Sequence, residues 1–312
     1  MTNAHTATRA TYQNVGLLLG PLFFVILLML PTPEGLSSEA WSTVAIAALL
    51  ATWWATEAIP VPATSLLPLV LIPVLGIGSS ADASLPYARP VIFLLLGGFL
   101  AAMAMQKWNL HRRIALNILA KVGDHPYALI GGFMAASALL SMWISNTATT
   151  LMLLPVALAV LQSSNDKQLT TMLLLGIAYA ANVGGIGTPI GTPPNALFLS
   201  TYQETTGISI GFLGWMKWSV PLVIIFIPLM MLWLTRNIKT QQSITLPETG
   251  KWTTIEKRVM WVFSITALLW ITRQEPFGGW RELTGFTTAN DASVAMLACI
   301  AMFVIPDGNK GR

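Results

Sequence analysis

The chain has 312 residues, 54% of them hydrophobic and only 10% charged, where a soluble domain carries about a quarter charged residues. Nearly uncharged runs recur along the whole length, which excludes a soluble domain and points to an all-α polytopic membrane protein rather than a barrel. The net charge of +4 is spread over short loops, where it sets topology and gives no basis for nucleic-acid binding, and the lone cysteine, Cys299, excludes a disulfide framework.

Taken in chain order, apolar segments lie at about 15–30, 40–58, 62–77, 88–106, 127–143, 148–161, 168–187, 194–202, 214–235, 257–272 and 292–306. A crossing needs about 20 residues. The first run follows a polar lead and exits through prolines without a small-residue cleavage site, so an uncleaved first span is expected. Segments 127–143 and 148–161 are joined by only a few polar residues. They read as a re-entrant helical hairpin, because the tip has no room for a solvated loop. Segment 194–202 is too short to cross alone and continues 168–187 as one discontinuous helix.

Eight crossings and one hairpin result, and the charges test that count. With the N-terminus in the cytoplasm, 13 of the 17 Lys and Arg residues fall on the cytoplasmic side, as Lys/Arg bias requires. Arg89, Lys217, Arg273 and Arg281 are left outside. Reading the hairpin as two crossings would invert every later loop and put Arg236 to Arg258 outside. The expected organisation is a first span plus an N-terminal repeat over 1–239, a cytoplasmic linker over 240–256, and the start of a further repeat over 257–312. Trp41, Trp53, Trp54, Trp108, Trp215, Trp218 and Trp280 fall near segment ends and read as interfacial anchors.

The chemistry concentrates at two breaks. Ser141 lies one turn before Ser145, so both hydroxyls face one pocket. Asn146 offers an amide oxygen to a cation or an N–H to an anion, and Thr147 and Thr149 open the next half-helix. Oxygen ligands without a Cys, His or carboxylate cluster suit a hard cation such as Na⁺. The positive end of that half-helix suits a carboxylate. In the second break, Gly184-Gly-Ile-Gly-Thr-Pro-Ile-Gly-Thr-Pro-Pro-Asn195, glycines leave carbonyls uncovered and Pro189, Pro193 and Pro194 stop the helix. Thr188, Thr192 and Asn195 add oxygens, and the free carbonyls are expected to complete a Na⁺ site.

Blander readings compete with each of these features. A Ser-Asn-Thr triplet alone is a capped kink, and membrane glycines commonly serve packing. Two long breaks that both carry oxygen ligands favour a site. Gly187-x-x-x-Gly191 would suit helix dimerisation, but the adjacent prolines argue against a continuous helix. No Gly-x-x-x-x-Gly-Lys-Ser/Thr loop is present. His5, His111 and His125 are expected to be solvated in polar loops, and Glu57 to sit in a short surface loop. No segment carries a carboxylate pair, a His pair or a Ser/Lys dyad, so an enzyme is not expected.

Ser141-Met-Trp-Ile-Ser-Asn-Thr-Ala-Thr-Thr150, the loop Gly184 to Ala196 and Thr56-Glu-Ala-Ile-Pro60 together resemble the divalent anion:sodium symporters, the DASS or INDY-type carriers. The resemblance covers the whole chain. It implies an inverted-repeat transporter, homodimeric, in the cell inner (plasma) membrane, that couples Na⁺ entry to uptake of a small divalent anion by an elevator-like motion. The anion would be a C4-dicarboxylate, citrate or sulfate. By resemblance, Ser141, Ser145, Asn146 and Gly191 hold the co-transported Na⁺ and Asn146 and Thr147 bind one substrate carboxylate, supported by Thr188, Thr192, Pro193, Pro194 and Asn195. No organic cofactor is implied.

The family pairs this hairpin with a second Ser-Asn-Thr hairpin. The nearest sequence here is Ser164-Asn165-Asp166, in a polar loop. The second repeat is therefore expected to be incomplete. The chain reads as the N-terminal part of a symporter or, alternatively, as a sulfate or citrate permease of the same superfamily, or as a shortened, non-transporting membrane module.

Overall fold

The structure, a computed structural model, describes residues 9–123, 125–161, 166–236, 238, 250–275 and 277–306. Described residues are helical or lie in turns, bends and irregular connections, with no strand among them. They form two compact units divided after Arg89. The first holds α1 (Thr11–Met29), α2 (Ser38–Thr56), α3 (Val61–Thr64), α4 (Leu67–Val74), α5 (Ser80–Ser84) and a 3-10 turn over Leu85–Ala88.

In this unit α1 packs on α2 through small residues. A β-carbon on Gly16 would lie 2.0 Å from the Thr56 hydroxyl, and one on Gly20 would lie 2.5 Å from the Trp53 indole nitrogen. Ser37 caps α2 by accepting from the Ala40 N–H at 3.2 Å. Glu57 ends it in left-handed backbone at φ 47° and is exposed, as a surface-loop residue should be. The apolar run 62–77 is not one helix. It divides into α3 and α4 at Ser65–Leu66, because Pro68 has no N–H to donate and its ring collides with the carbonyl four residues back.

The second unit holds α6 (Pro90–Lys107), α7 (Leu110–Val122), α8 (Pro126–Ser141), α9 (Asn146–Leu161), α10 (Lys167–Gly185), α11 (Pro193–Thr206), α12 (Phe212–Thr235), α13 (Thr254–Ile271), α14 (Gly279–Thr284) and α15 (Asp291–Val304). The hairpin expected over 127–161 is α8 and α9, and the broken helix is α10 and α11. Most of the linker expected at 240–256 lies outside the described residues.

Helix α8 is the centre of the core. Leu129, Ile130, Phe133 and Met134 on it are fully buried. Its closest neighbour is α10, and the approach depends on glycine: a β-carbon on Gly184 would sit 2.3 Å from the Ala138 carbonyl oxygen. Helices α6 and α15 meet in the same way, with Gly97 against the Ala295 backbone at 2.5 Å. Small residues that let backbones approach are the usual device for membrane helices, which gain little from burying apolar surface against apolar lipid.

Helix α7 was not among the expected elements. It is not wholly apolar, so a search for spans passes over it. Its buried face, Leu110, Ala115, Leu116 and Leu119, recurs at helical spacing, and its thirteen residues are too few to cross. His111 lies on this helix and is 6% exposed, not solvated in a loop. Burial pushes its imidazole pKa down, opposed by the Met105 carbonyl and reinforced by Arg112.

Among the described residues, α1, α6 and α12 are long and apolar enough to cross a membrane, and α8, α9 and α15 are shorter apolar helices. Pro21 in α1 and Pro221 and Pro228 in α12 sit inside these spans.

Candidate functional site

Helix α8 ends at Ser141 and α9 begins at Asn146, so Met-Trp-Ile-Ser makes the whole hairpin turn. The turn is anchored by aromatic packing. Trp143 stacks against Phe212 (centroids 6.0 Å apart) and Trp270 (6.4 Å) and meets Phe263 edge-on at 5.2 Å. Phe212 and Trp270 stack at 4.9 Å. Ile144 is buried beside them. A second anchor comes from the broken loop: the fully buried Thr188 hydroxyl donates to the Met142 carbonyl and accepts from the Gly191 N–H at 3.1 Å.

Helix α10 stops at Gly185, and Thr192 is extended before Pro193 and Pro194 start α11. Each of the five carbonyls from Gly184 to Thr188 has a donor. Gly184 accepts from the Gly187 N–H at 2.8 Å, and Gly185 and Thr188 both accept from the Asn195 amide at 2.8 Å. Ile186 accepts from the Trp215 indole at 2.8 Å and Gly187 from the Ser219 hydroxyl at 3.0 Å. These five carbonyls are thus covered, where the glycines alone suggest free ones. A buried carbonyl without a donor costs too much to leave. A cation at these oxygens would use a second lone pair.

Asn146 lies where hairpin tip and broken helix meet. Its Oδ1 accepts from the Ser141 hydroxyl at 2.8 Å, and its Nδ2 donates to Asn182 Oδ1 at 3.0 Å. A β-carbon on Gly185 would be 2.3 Å from Asn146 Oδ1. One on Gly191 would be 2.5 Å from the Gly185 carbonyl and 2.9 Å from the Ser141 carbonyl. Ser141, Asn146, Gly185 and Gly191 therefore share one oxygen-rich cradle that only glycine permits. Ser141 is fully buried, Asn146 half-buried and Thr147 exposed. The Ser145 hydroxyl accepts from the Ala148 N–H at 3.3 Å and so caps α9. The first turn of α9 carries no acidic residue, so the positive end of the helix stays available to an anion.

Of the expected site residues, the structure brings Ser141, Asn146, Gly191, Thr188 and Asn195 together. Ser145 and Thr147 flank them on the tip. Thr192, Pro193 and Pro194 shape the start of α11, and the Thr192 side chain makes no cap bond. Sequence reading passed over Asn182, although it lies three residues before Gly185 on the same helical face. It also took Trp215 only as an interfacial anchor, whereas its indole satisfies the broken loop. Among the described residues no His, Cys, Asp or Glu cluster could hold a metal.

The family model described as "CitMHS: Citrate transporter" matches residues 51–307. The sodium-dependent dicarboxylate transporter SdcS of Staphylococcus saprophyticus subsp. saprophyticus is 39% identical over 322 residues, covering 96% of this chain and 62% of that protein. Proteins of the same name from two strains of Staphylococcus aureus are 38% and 37% identical, covering 96% and 97% of this chain and 61% and 62% of those proteins. The chain thus spans about three-fifths of the length of the curated relatives it matches. With multiple apolar helices and a family match over most of its length, this multi-pass membrane chain belongs to the citrate-transporter family.

Proposed function

We propose that the chain carries the Na⁺ site and one carboxylate contact of a sodium-coupled dicarboxylate symporter. The observation that carries this reading is the position of Asn146, whose amide oxygen faces Ser141 and whose amide nitrogen faces Asn182. Ser141, Ser145, Asn146 and the Gly191 backbone supply neutral oxygens for Na⁺, the ligand type a hard cation prefers. Asn146 N–H, Thr147 and the α9 N-terminus supply donors for one carboxylate. One side chain then serves both ions, and whatever fixes its orientation for the cation fixes it for the anion. That is a coupling free energy between two sites. The relatives' names, which state sodium dependence and dicarboxylate transport, support it.

The N-terminus is placed in the cytoplasm, the α8–α9 tip re-enters from that side, and residues 257–312 begin a second repeat. The Lys/Arg distribution supports this arrangement. The assembly is a homodimer in the cell inner membrane, by resemblance. Citrate is a second candidate for the anion, because the matching family is described by that substrate. Proteoliposomes containing the protein should take up succinate only with an inward Na⁺ gradient, and Asn146→Ala should abolish that uptake. Undiminished uptake by the variant refutes the site. Competition by citrate against labelled succinate decides the anion.

A further inference from the structure

We infer that Asn182 is a positioning residue that orients the Asn146 amide, and thereby sets how tightly the site holds Na⁺. The inference rests on the reading of Asn146 as a shared ligand. A carboxamide has nearly the same shape when turned by half a turn, so its oxygen and its NH₂ group are told apart by hydrogen bonding alone. The Ser141 hydroxyl both donates and accepts, so it does not choose between them. The partner on the other side of the amide is Asn182, 3.0 Å from Asn146 Nδ2.

Steric contact does not fix the choice either. Gly185 gives Asn146 room on the α10 face, and a β-carbon there would meet both ends of the amide, Oδ1 at 2.3 Å and Nδ2 at 3.2 Å. Asn182 is one turn earlier on that face. The two carboxamides turn as a pair: with Asn182 Oδ1 accepting, Asn146 keeps its oxygen toward Ser141 and its nitrogen away from it, and a residue at 182 that can only accept locks that sense. That is the arrangement a cation beside Ser141 requires. Asn182 is exposed and its partner Asn146 precedes the exposed Thr147, so a negative charge introduced at position 182 would be felt by an anion held at the tip.

Two variants separate this role from simple packing. Asn182→Ala removes the acceptor and frees Asn146 to turn. Asn182→Asp keeps an acceptor, and an ionised carboxylate can only accept, so it fixes Asn146 in the cation-binding sense while repelling an anion. Binding of radioactive Na⁺ to the purified full chain, and of succinate at saturating Na⁺, gives both affinities. Asn182→Ala should weaken Na⁺ binding about 3- to 10-fold, the loss of one net hydrogen bond, with an unchanged apparent melting temperature. Asn182→Asp should keep or tighten Na⁺ binding while weakening succinate binding about 10-fold or more. Opposite movement of the two affinities is a result that misfolding does not produce. Asn182→Ala binding Na⁺ like wild type, or Asn182→Asp moving both affinities together, overturns the inference. Wild-type protein that binds no Na⁺ overturns the underlying site reading instead.

Discussion

Gly185 and Asn146 approach so closely that a β-carbon on the glycine would lie 2.3 Å from the asparagine Oδ1. What it would strike is the far end of a side chain, which can move. Gly185→Ala should therefore fold, with an apparent melting temperature close to wild type, but displace the amide from the cradle. We expect Na⁺ half-saturation to rise about 10-fold or more, as misplacement of a ligand by about 1 Å commonly does. The neighbouring glycine should behave in the opposite way. Gly184→Ala meets the Ala138 backbone at 2.3 Å, and two packed helices must separate. It should lower stability by about 1–3 kcal/mol. Thermal unfolding and Na⁺ titration of both variants check the contrast.

Asn195 closes the broken helix by donating to the Gly185 and Thr188 carbonyls. Asn195→Ala leaves both without that donor, at about 1–3 kcal/mol for an unsatisfied buried group. We expect loss of stability and of Na⁺ binding together, measured by denaturation in detergent and by Na⁺ titration. Asn195→Asp keeps the size but reverses the polarity, and should do no better.

Arg113 on α7 ties down the chain before α13. Its guanidinium donates to Glu256 at 2.9 Å and to the Gly250 and Lys251 carbonyls at 2.5 and 3.0 Å, and it lies over the Trp252 ring. Both partners of the ion pair are largely buried, with side chains 12% and 10% exposed. Arg113→Ala should cost about 1–3 kcal/mol, and Arg113→Lys should recover only part of it because a single ammonium cannot reproduce the fork. Comparative denaturation tests this.

His111 should make the protein acid-sensitive. Its folded pKa lies below the ordinary imidazole value of 6.5 because it is buried. As pH falls through that value the unfolded chain takes up a proton that the native chain refuses. Stability is therefore fully present above pH 6.5, declines below it, and stops declining once pH passes the lower native pKa. His111→Gln should remove that part of the decline, read as the difference in apparent melting temperature between pH 8 and pH 5.

Much of this arrangement was legible in the sequence. The short polar join between two apolar runs announced the turn between α8 and α9, and Pro193-Pro194 announced the restart of α11. The spacing of Ser141 and Ser145 suggests a shared helix face, but they do not share one, because α8 ends at Ser141. What was not legible depended on neighbours far along the chain. The loop glycines suggested bare carbonyls, but Trp215 and Ser219, on a later helix, cover two of them. Helix α7 mixes polar and apolar residues at helical period, so its sequence holds no unbroken apolar run and His111 reads as part of a polar loop. Pro68 lies inside an apolar run that reads as one segment, and hydropathy does not register that it divides the helix. Asn182 precedes the break and has no motif around it, so only its contact with Asn146 reveals it.

The most direct test of the central claim is calorimetric titration of succinate into the purified chain in Na⁺ and in choline buffer, for wild type and Asn146→Ala. The account predicts binding by wild type in Na⁺ alone and none by Asn146→Ala in either buffer. Equal binding in Na⁺ and choline, or unaltered Na⁺-dependent binding by Asn146→Ala, would contradict it.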